Sequence, residues 1–315
     1  MSATEQSVVL TGATGFIGSA TLAELVRRGR RVIVLLRPTS DRRRIACLRG
    51  YETVMFDHFG EAGLAARIQE YNPGVFIHCA WRGVAGDERN ASYQITENVP
   101  MTIASAALAA GCGCQQWVGL GSQAEYGNPN RVISEATPEN PATIYGKAKL
   151  AAGHASLALC EALGIAGVWL RVFSIFGPQD APHWFIPSAI QDFLAGRKPR
   201  LTKCEQRWDF LYIKDAAKAV VAAADGRLTG VYNLGSGRAD TLREVIQVIR
   251  TELGTTIEPD YGAIHYRPEQ VMHLQADIRK LSEATGWAPA VGLVEGLRET
   301  IKSEKNLFMS CQTMA

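Results

Sequence analysis

"TGATGFIG", residues 11–18, sets Gly12, Gly15 and Gly18 at equal spacing between an apolar run and a helical pattern. The run before it, "SVVLTG" (7–12), reads as a buried parallel strand, and "SATLAELVRRG" (19–29) as a helix stopped by glycine. A strand that ends in glycines and opens a helix lets an anion approach the backbone. The free N–H groups of the first helical turn then face that anion. A dinucleotide's pyrophosphate fits this arrangement, with Gly12, Thr14, Gly15, Phe16, Ile17 and Gly18 forming the loop around it.

Further along, the strand and helix patterns keep alternating. "RVIVLLR" (31–37), "GVFIHCA" (74–80), "QQWVGLGS" (115–122) and "AGVWLRVFSIFG" (166–177) read as strands. "AGLAARIQEYN" (62–72), "VPMTIASAALAAG" (99–111) and "IYGKAKLAAGHASLALCEALG" (144–164) read as helices. This alternation predicts an α/β fold, a Rossmann-type doubly wound parallel sheet covered on both faces. Near residue 178 the rhythm breaks, returns in "FLYIKDAAKAVVAAAD" (210–225) and "GVYNLGSG" (230–237), then gives way to helices and loops. We therefore expect residues 1–177 and 208–237 to form the nucleotide-binding domain. Residues 178–207 and 238–315 should form a smaller C-terminal substrate lobe.

The balance of 33 Lys and Arg against 31 Asp and Glu gives no case for nucleic acid or an anionic membrane as partner. No apolar run is long enough to span a bilayer, and the opening "MSATEQSVVLTG" lacks the basic-then-apolar order of a signal peptide. Seven cysteines are scattered, with "CGC" at Cys112–Cys114 the one close pair, and no ligand spacing for a metal accompanies them. They read as reduced thiols of a cytoplasmic protein without a metal site.

The second strand ends in "LLRPTSDRRR", with Arg37 where a carboxylate would bind the ribose hydroxyl of NAD. An arginine followed by hydroxyls suits a 2′-phosphate, so NADP(H) is favoured and NAD(H) remains an alternative. Asp57, after "TVMF", is placed either to accept from the adenine amino group or to cap its own loop. In "TIYGKAK" (143–149), Tyr145 and Lys149 lie one helical turn apart on one face. Ser122 ends the strand before, at the crevice side of the sheet. A hydroxyl that holds a substrate oxygen beside a phenol acidified by an ammonium suits carbonyl–alcohol interconversion.

"TGATGFIG", "GSQAEYG", "YGKAK", "HCAW" (78–81), "RVFSIFGP" (171–178), "WDFLYIKDAAKAV" (208–220), "YNLGSG" (232–237) and "YRPEQ" together resemble the extended short-chain dehydrogenase/reductases. Within them the likeness is to the NAD(P)-dependent epimerase/dehydratase group that acts on nucleotide sugars. It covers nearly the whole chain. It implies Ser122, Tyr145 and Lys149 as the catalytic set and a homodimer joined through a helix bundle. It also implies His58, Ala80, Trp81, Asn98 and Phe173 near the cofactor, and Arg82, Gln123, Ser174, Trp208 and Arg267 near the substrate. Trp81 also reads as a packing residue, and Arg267 as a loop ion pair.

Departures from the group's pattern narrow the reaction. Its 4,6-dehydratases carry adjacent Asp and Glu after the Ser or Thr; here Gln123 and Ala124 stand there, and neither moves protons. Its epimerase-reductases place a cysteine where Ala124 lies. Ser174 replaces the usual asparagine and Trp208 the usual arginine. Simple redox at a carbon bearing oxygen remains. The expectation is an NADPH-dependent 4-ketoreductase of a nucleoside-diphosphate 4-keto-6-deoxyhexose. The alternatives are a nucleotide-sugar 4-epimerase with tightly bound NAD(H), and a non-catalytic cofactor sensor or scaffold.

Overall fold

Runs of Val, Ile and Leu too apolar to face water on either side place the strands in the middle of the molecule. The computed structural model describes residues 6–313, apart from the side chains of Asp87 and residues 311–313. The chain runs through β1 (Ser7–Thr11), α1 (Phe16–Arg27), β2 (Val32–Leu36), β3 (Glu52–Met55), α2 (Leu64–Gln69), β4 (Pro73–His78) and α3 (Val99–Gly111). It continues as β5 (Gln116–Ser122), β6 (Arg131–Ile133), α4 (Ile144–Ala162), β7 (Ala166–Val172), β8 (Ser174–Phe176), α5 (Phe185–Leu194), β9 (Arg200–Leu201) and β10 (Arg207–Trp208). It ends with β11 (Phe210–Tyr212), α6 (Ile213–Asp225), β12 (Gly230–Leu234), β13 (Asp240–Thr241), α7 (Leu242–Leu253), β14 (Asp260–Tyr261), β15 (His273–Ala276), α8 (Arg279–Thr285) and α9 (Leu293–Thr313).

Seven strands form the central sheet in the order β12-β7-β5-β4-β1-β2-β3, and every pairing is parallel. The order reverses between β1 and β4, so a crevice opens beyond their carboxyl ends. Successive residues serve opposite faces. Val8 and Leu10 pack with Leu22 and Leu25 of α1 and Val220 of α6. Val9, Phe76, Trp117 and Trp169 pack with Leu64 of α2, Ala106 of α3 and Ala152 of α4. Each such side chain contributes about 1.5–3 kcal/mol by leaving water. β3 carries no strand signal in its sequence because only Val54 of its four residues is buried.

The stretch expected as one strand over 166–177 is two. Phe173 donates its N–H to Leu234 O at 2.9 Å, and the chain then leaves the main sheet to pair β8 with β11. A second sheet has the order β13-β10-β15-β6. Buried Asp209 ties it to the first: its carboxylate accepts from the N–H groups of Ser236 (2.6 Å), Gly237 (3.0 Å) and Ala276 (3.0 Å). Buried Asp215 on α6 likewise accepts from Ala290 and Val291 at 2.8 and 2.7 Å. The tail also sends Leu281 and Trp287 into the core shared with α1 and α6. The helices α5, α7 and α9 bury Ile190, Ile249 and Leu297 together.

Candidate active site

The glycines of the opening stretch make a cradle. Gly12 has φ +70°, and a Cβ there would lie 2.5 Å from the backbone nitrogen of Ala80. A Cβ on Gly18 would lie 2.0 Å from Gly12 O. Both obstacles are backbone, so neither moves aside. Gly15 caps α1 in an extended conformation, and no side chain caps the helix. Its first-turn N–H groups are therefore open to an anion. Thr14, Phe16 and Ile17 are partly buried around this turn, and the Ala80 backbone makes the facing wall. These residues fit a dinucleotide pyrophosphate.

At the rim, Arg37 follows β2 and is exposed, its N–H donating to Ser40 Oγ at 3.1 Å. Asp41, the nearby acid, is held by Arg43 at 2.6 Å. Asp57 and His58 are exposed beyond β3, and Asp57 donates its N–H to Glu61 Oε2 at 2.9 Å. Sequence reasoning missed Arg44. It donates to the carbonyls of Thr14 (3.4 Å) and Gln179 (3.0 Å), bridging the cradle to the loop after β8.

The second wall of the candidate site lies on β5 and α4. Ser122 closes β5 and caps the short 3-10 turn Gln123–Glu125. Its Oγ accepts from Ala124 N at 3.2 Å, which leaves the hydroxyl proton to donate. Thr143 caps α4, its Oγ1 accepting from Gly146 N at 3.1 Å, and so fixes Tyr145 in the first turn with Lys149 one turn on. A Cβ on Gly146 would lie 2.5 Å from Ala124 O; glycine lets α4 dock against the Ser122 turn. Ser122, Tyr145 and Lys149 are 7%, 7% and 4% exposed, and they lie together: the Ser122 side chain bonds the Tyr145 phenol, and Lys149 Nζ is 6.0 Å from the centre of the Tyr145 ring. Burial raises the Tyr145 phenol above its ordinary range, while Ser122 and Arg89 pull it back.

Lys149 Nζ donates to Leu120 O at 2.7 Å and lies 3.7 Å from the centre of the Trp81 ring. Burial pushes its ammonium down to about 7, against the pull of Glu125. Trp81 meets the Tyr145 ring edge-on at 6.1 Å and donates Nε1 to Gln94 Oε1 at 2.8 Å. It is both a packing residue and a neighbour of the reacting groups. His78, at the end of β4, bonds Thr11 Oγ1 through Nδ1 at 2.8 Å. Burial and the nearby Lys149 push its pKa down to about 3, so it stays neutral.

Behind Ser122 lies a group the sequence did not reveal. Glu125 is fully buried. Its carboxylate accepts from Ser122 N (2.7 Å), Trp169 Nε1 (3.1 Å) and Arg171 Nε (2.7 Å). Arg171 reaches on to Glu139, which His154 bonds at 3.0 Å. Burial raises the Glu125 carboxyl and Arg171 opposes that. With all its acceptors engaged, Glu125 is structural.

The other expected site residues are placed as follows. Asn98, expected at the cofactor, is spent on the loop after β4: it donates to Arg82 O (2.8 Å) and Gln94 Oε1 (3.0 Å) and accepts from Arg82 N (3.1 Å). It supports Trp81 and Arg82 from beneath. Arg82, expected at the substrate, is exposed, pairs with Glu97 at 3.0 Å and stacks on Tyr93. The arginine that does reach Tyr145 is Arg89, which the sequence gave no reason to single out. Phe173 is a core residue beside Tyr126 and Leu274. Gln123 and Ser174 are partly buried, Ser174 pairing with Phe210 across β8 and β11. Trp208 is half-buried, and its buried Nε1 has no hydrogen-bond partner. Arg267 is exposed on the loop before β15. Among the described residues no cluster has metal-ligating make-up, and no helix is long and apolar enough to cross a membrane.

A phenol, a lysine amine and a hydroxyl thus share one wall of the candidate site, and the chain's family follows from its similarity to known proteins. The model of the NAD dependent epimerase/dehydratase family matches residues 8–235, and the chain belongs to that family. It is an NAD(P)-dependent enzyme of the extended short-chain dehydrogenase/reductases that act on nucleotide sugars. It is 27% identical over 311 residues to UDP-glucose 4-epimerase of Mycolicibacterium smegmatis, covering 95% of this chain and 98% of that protein. It is 28% identical over 306 residues to dTDP-6-deoxy-L-talose 4-dehydrogenase (NAD(P)(+)) of Kitasatospora kifunensis, covering 93% of each. Among solved structures it is similar to MoeE5 in complex with UDP-glucose and NAD, with a TM-score of 0.81, 26% identity, and 96% of this chain and 99% of that chain covered.

Proposed function

We propose that the protein is a nucleotide-sugar 4-epimerase working with tightly bound NAD(H), in place of the 4-ketoreductase expected from the sequence. The observation that carries this reading over the ketoreductase is the recurrence of UDP-glucose 4-epimerases among similar proteins; the single proton carrier beside Ser122 argues against elimination. Gln123 and Ala124 occupy the positions where an eliminating enzyme keeps its acids, and Glu125 is committed to Arg171 and Trp169. Epimerisation at C4 needs no more than Tyr145 supplies: one group that takes the O4 proton and gives it back. Ser122 holds that oxygen with its free hydroxyl proton, and Lys149 sits next along the helix as the ammonium of the set. The nicotinamide supplies reversible hydride acceptance. The similarity to the mycobacterial UDP-glucose 4-epimerase supports the same reading, and that to MoeE5 in complex with UDP-glucose and NAD supports NAD and a nucleotide sugar as its ligands. In it, residues 1–177 with 208–237 hold the cofactor, and 178–207 with 238–315 face the sugar. The test is incubation with UDP- and dTDP-linked hexoses. A 4-epimerase interconverts a pair of 4-hydroxy epimers with no net change in nicotinamide absorbance, whereas stoichiometric loss of NADPH with a 4-keto substrate would contradict it.

A second reading, the NADPH-consuming 4-ketoreductase, is favoured by Arg37 at the end of β2 and by the likeness to the Kitasatospora 4-dehydrogenase. If Arg37 reads a 2′-phosphate, Arg37→Asp weakens NADPH binding by about ten- to a hundredfold, as for one charge-assisted contact of roughly 1.5–3 kcal/mol, and spares NADH. Equal losses for both cofactors would remove this reading's support.

A further inference from the structure

Arg89 comes from the 3-10 turn Gly86–Asn90 in the long loop between β4 and α3. Its guanidinium carbon lies 4.5 Å from the centre of the Tyr145 ring. Its one hydrogen bond runs to Val84 O at a long 3.4 Å, and among the described residues no carboxylate pairs with it. Other partly or fully buried arginines of this region are engaged: Arg171 with Glu125 and Glu139, and Arg44 with two carbonyls. A half-buried guanidinium with so few acceptors, laid on the ring of the presumed proton carrier, calls for an account.

The groups facing Tyr145 come from each element packed around it. Ser122 approaches from β5, Glu125 from the turn after it, Trp81 and Arg89 from the loop after β4, and Lys149 from α4 itself. Lys149 is the farther cation: its Nζ is 6.0 Å from the ring centre, drawn instead to Leu120 O and Trp81. A cation on a ring face is attracted by the ring quadrupole, and more strongly once the ring bears a negative charge.

We propose that Arg89 is a positioning residue for the reaction. Its guanidinium, stacked on Tyr145, favours the phenolate and so sets the pH at which the tyrosine exchanges its proton. This rests on Tyr145 being the proton carrier of the proposed epimerase. The direction agrees with the electrostatics, since Arg89 opposes the upward push of burial on the phenol.

The test is NMR titration of the protein labelled with ¹³C at tyrosine Cζ, with Tyr145→Phe identifying the resonance. No substrate enters the measurement, so its outcome is independent of the catalytic reading. In Arg89→Met the Tyr145 midpoint is expected to rise by about one unit or more, in line with an opposite charge within about 4–6 Å. Arg89→Lys, which keeps the charge, is expected to stay closer to the parent. Should the Met variant not fold, Arg89→Gln makes the same neutralisation with a polar side chain. A Tyr145 midpoint unchanged in a folded neutral variant would overturn the proposal. A shifted midpoint with an unshifted pH–rate profile, recorded separately with substrate, would overturn Arg89's role in the reaction and count against Tyr145 as the proton carrier.

Discussion

The glycine cradle at β1–α1 and the wall at β5–α4 both bring backbones closer than side chains permit, but they are assembled in different ways. The cradle is built by backbone alone. Gly18 clears the carbonyl of Gly12, and its far wall needs only the backbone of Ala80. The wall is assembled across the chain. Ser122 is fixed by Glu125, Glu125 by Arg171 at a sequence separation of 46 residues, and α4 approaches only because Gly146 is bare. A backbone cradle is changed by the residues that form it. A wall assembled across the chain is also changed by residues that never touch the substrate.

Substitutions should therefore separate the two regions. The largest effect is expected from Tyr145→Phe. Turnover should fall by about 10²–10⁴-fold, the range for losing a general acid–base group, with cofactor binding kept. Single-turnover kinetics and a cofactor titration read the two separately, and near-normal turnover would remove Tyr145 from its role. Next, Glu125→Ala leaves Arg171 buried without its main partner. A loss of about 3–5 kcal/mol in unfolding free energy is expected, because breaking a buried pair strands the remaining charge. Chemical denaturation measures it, and a loss under about 1 kcal/mol, the scale of an exposed pair, would mean that the wall does not depend on this network.

Gly18→Ala tests the cradle. The added methyl meets a carbonyl oxygen, and overpacking of this kind costs about 1–3 kcal/mol. Cofactor binding should weaken while the environment of Tyr145 stays as it was; unaltered cofactor affinity would contradict the cradle. The smallest effect concerns Lys149→Met. Burial holds the Lys149 ammonium down to about 7, whereas an unfolded lysine titrates near 10.4. Between about pH 7 and 10 the unfolded chain thus binds the more protons, and this group's contribution to stability rises with pH. The penalty of burying the charge is full below that window and gone above it. Replacing Lys149 by Met should therefore raise the melting temperature more on the acid side of the window than on the alkaline side. An equal change on both sides would mean that Lys149 is not depressed.

Much of this molecule was legible as sequence, for identifiable reasons. Strands buried on both faces announce themselves as unbroken apolar runs, and β1, β2, β4, β5 and β7 did so. β3 did not, because it is an edge strand exposed at three of its four residues. Glycine spacing and the one-turn separation of Tyr145 and Lys149 are local patterns, so cradle and helix were readable. Glu125, Arg171 and Arg89 were not, because what matters in them is their partner, and the partner lies on another element. The loop after β4 shows this most clearly. Of its two arginines, the one beside the strand end, Arg82, turns to Glu97 and solvent, and the later Arg89 folds back onto Tyr145. Asn98 holds that loop through its backbone, a role no side-chain pattern advertises.

The central claim is that one proton carrier and a returning hydride act at C4. It is tested most directly with UDP- and dTDP-hexoses carrying deuterium at C4, incubated with the enzyme in ordinary water beside a pool of unlabelled cofactor. The account predicts that the 4-epimeric product keeps its deuterium at C4, because the hydride returns to the sugar it came from. Deuterium lost to water, or recovered in the free cofactor pool, would contradict it.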